Sequence, residues 1–131
     1  MADFTDELEE RILDWAFTTG SPTRPTAWWA MLFDAGGVPA DDGTGGTECS
    51  NAGYARQNIG TMTRTGQTMN PGAIITFGPA TEAWTQQVYF GINTLVTAGV
   101  ILAFETLTTP RTLGNGDSAE FATADFSITI D

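Results

Sequence analysis

Helical periodicity occurs once in this sequence, between residues 3 and 18, and it stops at a glycine followed by two prolines. Phe4, Leu8, Ile12 and Ala16 recur every four residues, and Leu13, Trp15 and Phe17 widen the stripe. That spacing keeps the apolar side chains on one side of a 3.6-residue helix. Asp3 or Thr5 is placed to cap it, and Asp6, Glu7, Glu9 and Glu10 crowd its first turns, where the positive end of the helix dipole favours acids. Glu7 and Arg11 stand four apart in the order that favours an ion pair. Gly20, Pro22 and Pro25 forbid continuation, so the remaining 111 of 131 residues must fold by some other pattern.

That pattern has period two. From Ala27 to Phe33 the odd-numbered residues point one way and Trp28, Ala30 and Leu32 the other. Both sets are apolar, which predicts a strand covered on both faces, by its own chain or on one side by a partner. Residues 34–50 are rich in Gly, Asp and Thr and read as a long surface loop, a class that is usually functional or disordered. Beyond it come short β-forming runs at Tyr54–Gly60, Ala73–Phe77, Trp84–Asn93, Ile101–Leu107, Ala119–Thr123 and Phe126–Ile130. Between them lie a polar Thr/Gly stretch up to Met69 and turns at Asn70-Pro71-Gly72, Gly78-Pro79 and Asn115-Gly116-Asp117. About seven strands so spaced predict a mainly β fold, an antiparallel β-sandwich of Greek-key or jelly-roll type, with one N-terminal α-helix. The whole of 1–131 reads as a single domain, with the helix in 1–20 and the sandwich in 25–131.

Composition narrows the chemistry. There is no histidine and no lysine, and 16 acids stand against 5 bases, giving a net charge of −11. Triads, histidine-bearing metal sites, the phosphate-loop lysine and Schiff-base chemistry are thereby excluded. Five scattered arginines do not make the basic stripe that nucleic-acid binding requires. The lone Cys49 lies beside Glu48 and reads as a small apolar filler rather than a nucleophile. The acidic N-terminus lacks a signal peptide's basic region. The most apolar window, Leu95 to Phe104, is about half a bilayer span. No membrane partner is expected, and synthesis in a cytoplasm is.

Asp34, Asp41, Asp42 and Glu48 bracket the glycine-rich loop and raise the question of calcium, a cation that favours such oxygens. Their spacing is not that of an EF-hand, and a solvated loop is the preferred reading. No metal, cofactor or catalytic residue is assigned. Of the four tryptophans, Trp15 lies on the helix stripe, adjacent Trp28 and Trp29 must diverge in a strand, and Trp84 is the best candidate for stacking on a sugar. Core or interface packing is preferred for all four.

The segment Gly46-Thr47-Glu48-Cys49-Ser50-Asn51-Ala52-Gly53-Tyr54-Ala55-Arg56-Gln57 resembles a family of small tailed-bacteriophage virion proteins often labelled tail fibre proteins. The resemblance runs on through the helix, Pro25–Phe33, Ile75–Phe77, Trp84, Phe90-Gly91-Ile92, Gly99–Phe104 and Gly116-Asp117-Ser118. Thr85 replaces the family's usual Gly, and Asn93-Thr94 its frequent Tyr-Asp, departures that bear on loops and not on the fold. The resemblance implies a structural role in the virion with no catalytic residues. The chain has no heptads, collagen repeat or β-helical segment from which to build a shaft, and its charge is repelled by packaged DNA.

The expectation is therefore a capsid decoration (cement) protein on the outer surface of the shell. Its partners would be the major capsid protein and neighbouring copies of itself, a homotrimer being one arrangement. The alternative is a tail-fibre-associated or receptor (glycan)-binding virion protein. The candidate contact residues are Phe4, Leu8, Ile12, Trp15 and Trp28, together with Tyr54 and Arg56. Arg56 is suited either to a bidentate bridge with a capsid carboxylate or to an internal salt bridge.

Overall fold

The computed structural model describes residues 2–130. Its elements in chain order are β1 (Asp3–Phe4), α1 (Asp6–Phe17), β2 (Trp29–Asp34), β3 (Gln57–Asn58), β4 (Met62–Thr65), β5 (Thr68–Pro71), β6 (Ile75–Phe77), β7 (Gln87–Asn93), β8 (Ile101–Arg111), β9 (Ala119–Phe121) and β10 (Ile128–Thr129). Every ladder is antiparallel. One sheet runs β1-β8-β7-β2-β3, a second β10-β5-β4, and a third pairs β6 with β9. Together they form a mainly β, sandwich-like body with one N-terminal helix.

The sheets are held face to face by aromatic rings. Phe90 on β7 meets Phe126 at 4.6 Å, Phe121 on β9 at 5.3 Å and Phe77 on β6 at 6.4 Å between ring centroids. All four rings are buried, and Leu32, Ile75, Ile92 and Trp84 are among the residues packed with them. The alternation of β2 then decides its other side. Ala30 and Leu32 face the core, whereas Met31 and Phe33 belong to a second cluster with Ile101, packed by Tyr89 and Phe104.

The cover over that second cluster is the chain's own 34–50 segment. It returns along β2 through Asp34 N–H to Thr47 O and Cys49 N–H to Leu32 O, and it reaches β8 where Ile101 N–H donates to Gly43 O. The approach is close enough that a methyl on Gly46 would lie 2.6 Å from the Phe33 ring. Gly46 also has φ +74°, which only glycine adopts at little cost. The expected loop is thus a folded lid rather than a free surface segment, because an apolar strand face needs something over it.

Two expected boundaries are corrected. The helix begins at Asp6, not Asp3, because Asp3 and Phe4 pair with Phe104 and Ala103 of β8. Thr5 occupies the N-cap position without a side-chain cap. Its buried hydroxyl instead donates to the carbonyls of Ile101 and, more weakly, Leu102, which ties the helix root to the sheet. The residues expected as a polar stretch and turn form the β4–β5 hairpin, with Thr65 opposite Thr68 and Gly66 at φ +61° in a two-residue turn. Its side chains lie mostly at the surface, so no apolar alternation announces it.

Candidate functional site

Helix α1 contains no buried residue. Its Glu7–Arg11 pair forms as expected, at 2.7 Å, and Arg11 also donates to Thr23 O, anchoring the chain as it turns back. Between this helix, the Pro22–Trp28 segment and Leu102 lies an apolar groove of about 320 Å³, floored by Leu8, Ile12 and Trp28 with Trp15 on its lip. A second hollow of about 370 Å³ continues it past Trp28 and Leu102 toward Met62, Met69 and Ile128. The size is at the low end of pockets that hold a small molecule or a few side chains, roughly 300–1,000 Å³.

The groove gathers four of the seven expected contact residues: Leu8, Ile12, Trp15 and Trp28. Phe4 is elsewhere. As part of β1 it is half-buried against the core, because strand pairing reverses the face that a helix would have given it. Trp28 is also packed on the core, with the Arg24 guanidinium 5.8 Å from its ring centroid. The residues that sequence reasoning underrated are Leu13 and Phe17, at 56% and 82% exposure. At 100° per residue they sit roughly 160° round the helix from the Leu8–Ile12–Trp15 side. They widen the stripe on paper, and in the structure they form a separate apolar ridge.

Tyr54 and Arg56 lie in a different place and face inward. Arg56 makes a two-pronged bridge to Glu48, Nε to Oε1 and Nη2 to Oε2, both 2.7 Å. Its Nη1 donates to the carbonyls of Leu95 and Ala98, fixing the β7–β8 connection and its exposed Leu95 and Val96. The Tyr54 hydroxyl donates to Glu48 Oε1 and accepts from Leu32 N–H, while its ring stacks on Phe77 and meets Trp84 edge-on. The internal-bridge alternative for Arg56 is the one the structure adopts. No signal in the sequence marks Leu95 and Ala98 as its partners, since the contact exists only when two loops meet.

Burial pushes the Tyr54 phenol far above its usual value, opposed by the Leu32 N–H and reinforced by the Glu48 charge. The unfolded phenol ionises near pH 10, so above that pH the unfolded chain binds fewer protons than the native one and stability falls. Thermal melts from about pH 8 to about pH 11 should show wild-type stability dropping past pH ~10. The Tyr54→Phe protein should lack that component and be weaker at neutral pH by about 1–2 kcal/mol. An equal alkaline loss in both proteins would disconnect Tyr54 from it.

Trp84 is 3% exposed and its indole donates to Ala52 O, so the sugar-stacking role considered for it is set aside. Burial raises the Cys49 thiol, and the nearby Asp34 and Glu48 add to this, which suits the filler reading. The loop acids go separate ways. Asp34 Oδ1 accepts from Gly36 N–H, Thr44 holds Asp42 below the usual carboxylate value, and Glu48 pairs with Arg56. Among the described residues no three acids or thiols converge as a metal ligand set, and no helix is long and apolar enough to cross a membrane.

Residues 3–129 match a family model described as Podophage GP4 fiber I protein gp80. No curated protein matches the chain.

Proposed function

This chain belongs to the Podophage GP4 fiber I protein gp80 family and is a structural protein of the phage virion, and from that premise we propose that it is a decoration module bound to the outside of the capsid shell. The observation that carries the reading is a helix with no buried residue that displays Leu13, Trp15 and Phe17 at 56–82% exposure. Large apolar side chains left bare on two sides of one helix mark a protein contact. Its partners are the coat protein and neighbouring copies of the chain. A net charge of −11 favours the outer face over the DNA-filled interior. The sequence has no heptad, collagen or β-helical repeat with which to extend a shaft. The role involves no catalysis, in keeping with a chain that has neither histidine nor lysine and draws Glu48 into an internal ion pair.

The family's own description favours a second reading, a globular part of a fibre or of the tail. Quantitative mass spectrometry of purified virions, with coat protein as internal standard, separates the two. A shell decoration is expected in fixed proportion to the coat and stays with heads when heads and tails are parted. A few copies per particle travelling with tails would transfer the protein to the fibre.

A further inference from the structure

The two apolar sides of α1 differ in charge, and that difference identifies what fits between them. The groove side carries basic groups: Arg11, already paired with Glu7, and Arg24. Arg24 is exposed and has an aromatic ring beneath it but, among the described residues, no carboxylate at ion-pair distance. The opposite ridge, Leu13 and Phe17, is flanked along the helix by Glu10 and Asp14, both exposed. An acid-edged apolar ridge and an Arg-edged apolar groove thus sit on opposite sides of one short helix.

We propose that a second copy of this chain occupies the groove, seating the Leu13–Phe17 ridge of its own α1 against Ile12, Trp15 and Trp28, with its Glu10 or Asp14 facing Arg24. Groove and ridge are different surfaces, so the contact is head-to-tail and not isologous. Such contacts close into a ring when the rotation permits, and each copy then uses both sides of its helix. The contact covers the bare Leu13–Phe17 side of α1 in one copy and fills the half-open groove side in the other. In a chain with 16 acids and 5 arginines, an unpaired arginine beside an apolar groove selects an acid-edged partner, and α1 is itself one. The inference rests on the reading of α1 as a contact surface, but it does not depend on where the particle carries the protein.

The test uses the full chain in solution, followed by light scattering and sedimentation up to millimolar concentration. Wild type should rise from the 13.9 kDa monomer to a defined oligomer. A Leu13→Ser/Phe17→Ser variant, lacking the ridge, and an Arg24→Glu variant, with a repulsive groove, should each remain monomeric. Neither alters a buried residue, so their melting curves should match wild type and exclude misfolding. Mixed together, the two variants should form a 1:1 pair and nothing larger, since one intact ridge meets one intact groove. A wild type that stays monomeric throughout, or an oligomer that survives loss of the ridge, overturns the proposal. So does a mixture that fails to pair. A monomer that nevertheless assembles onto virions, and needs Phe17 to do so, assigns the ridge to the coat protein and also overturns it, while leaving the virion role intact.

Discussion

Replacing Phe90 with alanine is expected to lower stability by about 3–5 kcal/mol, the usual cost of removing a buried aromatic ring and leaving its cavity. Phe90 is 0% exposed and touches rings from three other parts of the chain, Phe77, Phe121 and Phe126. Those neighbours come from different sheets and connections, so the hole cannot close by shifting one side chain. Against a total stability of ~5–15 kcal/mol for a domain of this kind, the loss is a large fraction of the whole. With a urea dependence of roughly 1–3 kcal/mol per molar, the unfolding midpoint should fall by one to several molar, or the protein should not fold. A shift no larger than that of a surface substitution, about 0.5 kcal/mol, would mean that the sheets are not joined through this ring.

Arg56→Ala should cost about 2–3 kcal/mol, somewhat below the 3–5 kcal/mol typical of a fully buried broken pair, since Glu48 keeps 29% of its side-chain exposure. The change removes both prongs of the bridge and both loop carbonyl contacts, and leaves Glu48 with the Tyr54 hydroxyl as its remaining donor. Arg56→Lys keeps the charge but not the planar fork, and should recover about half of the loss. Hydrogen exchange should localise the effect, with residues 94–100 losing protection before the sheets do. If Arg56→Ala melts like wild type, the bridge is not structural, and a role for Arg56 toward a capsid carboxylate regains its standing.

These two residues show different degrees of legibility. Phe90 could be placed in a core from the alternation Val88, Phe90, Ile92 alone, because a half-buried strand writes its inward face into every second position. Arg56 could be singled out, but its partners could not, since a guanidinium meets whichever acids and carbonyls the fold brings near. The same division runs through the candidate contact residues. Leu8, Ile12 and Trp15 were placed on one helix face and line one groove. Phe4 shared their spacing and went to a strand, because β8 offered it hydrogen bonds that a helix start would have left open. The β4–β5 hairpin left no trace in hydrophobic pattern, for its exposed threonines need bury nothing.

The sequence by itself determined that one helix precedes a β body, that β2 is covered on both faces, and that acids and a few arginines do the work of charged contact. What covers β2, where Arg56 is directed, and that α1 half-buries Leu8 and Ile12 while leaving Leu13 and Phe17 bare depend on the assembled fold. The physical reason is that periodicity records which side of an element is apolar, a local property carried by each residue. What comes to lie against that side depends on chain segments far away in sequence. Whether the apolar helix faces are packed by the chain itself or left for another molecule is fixed by that long-range geometry.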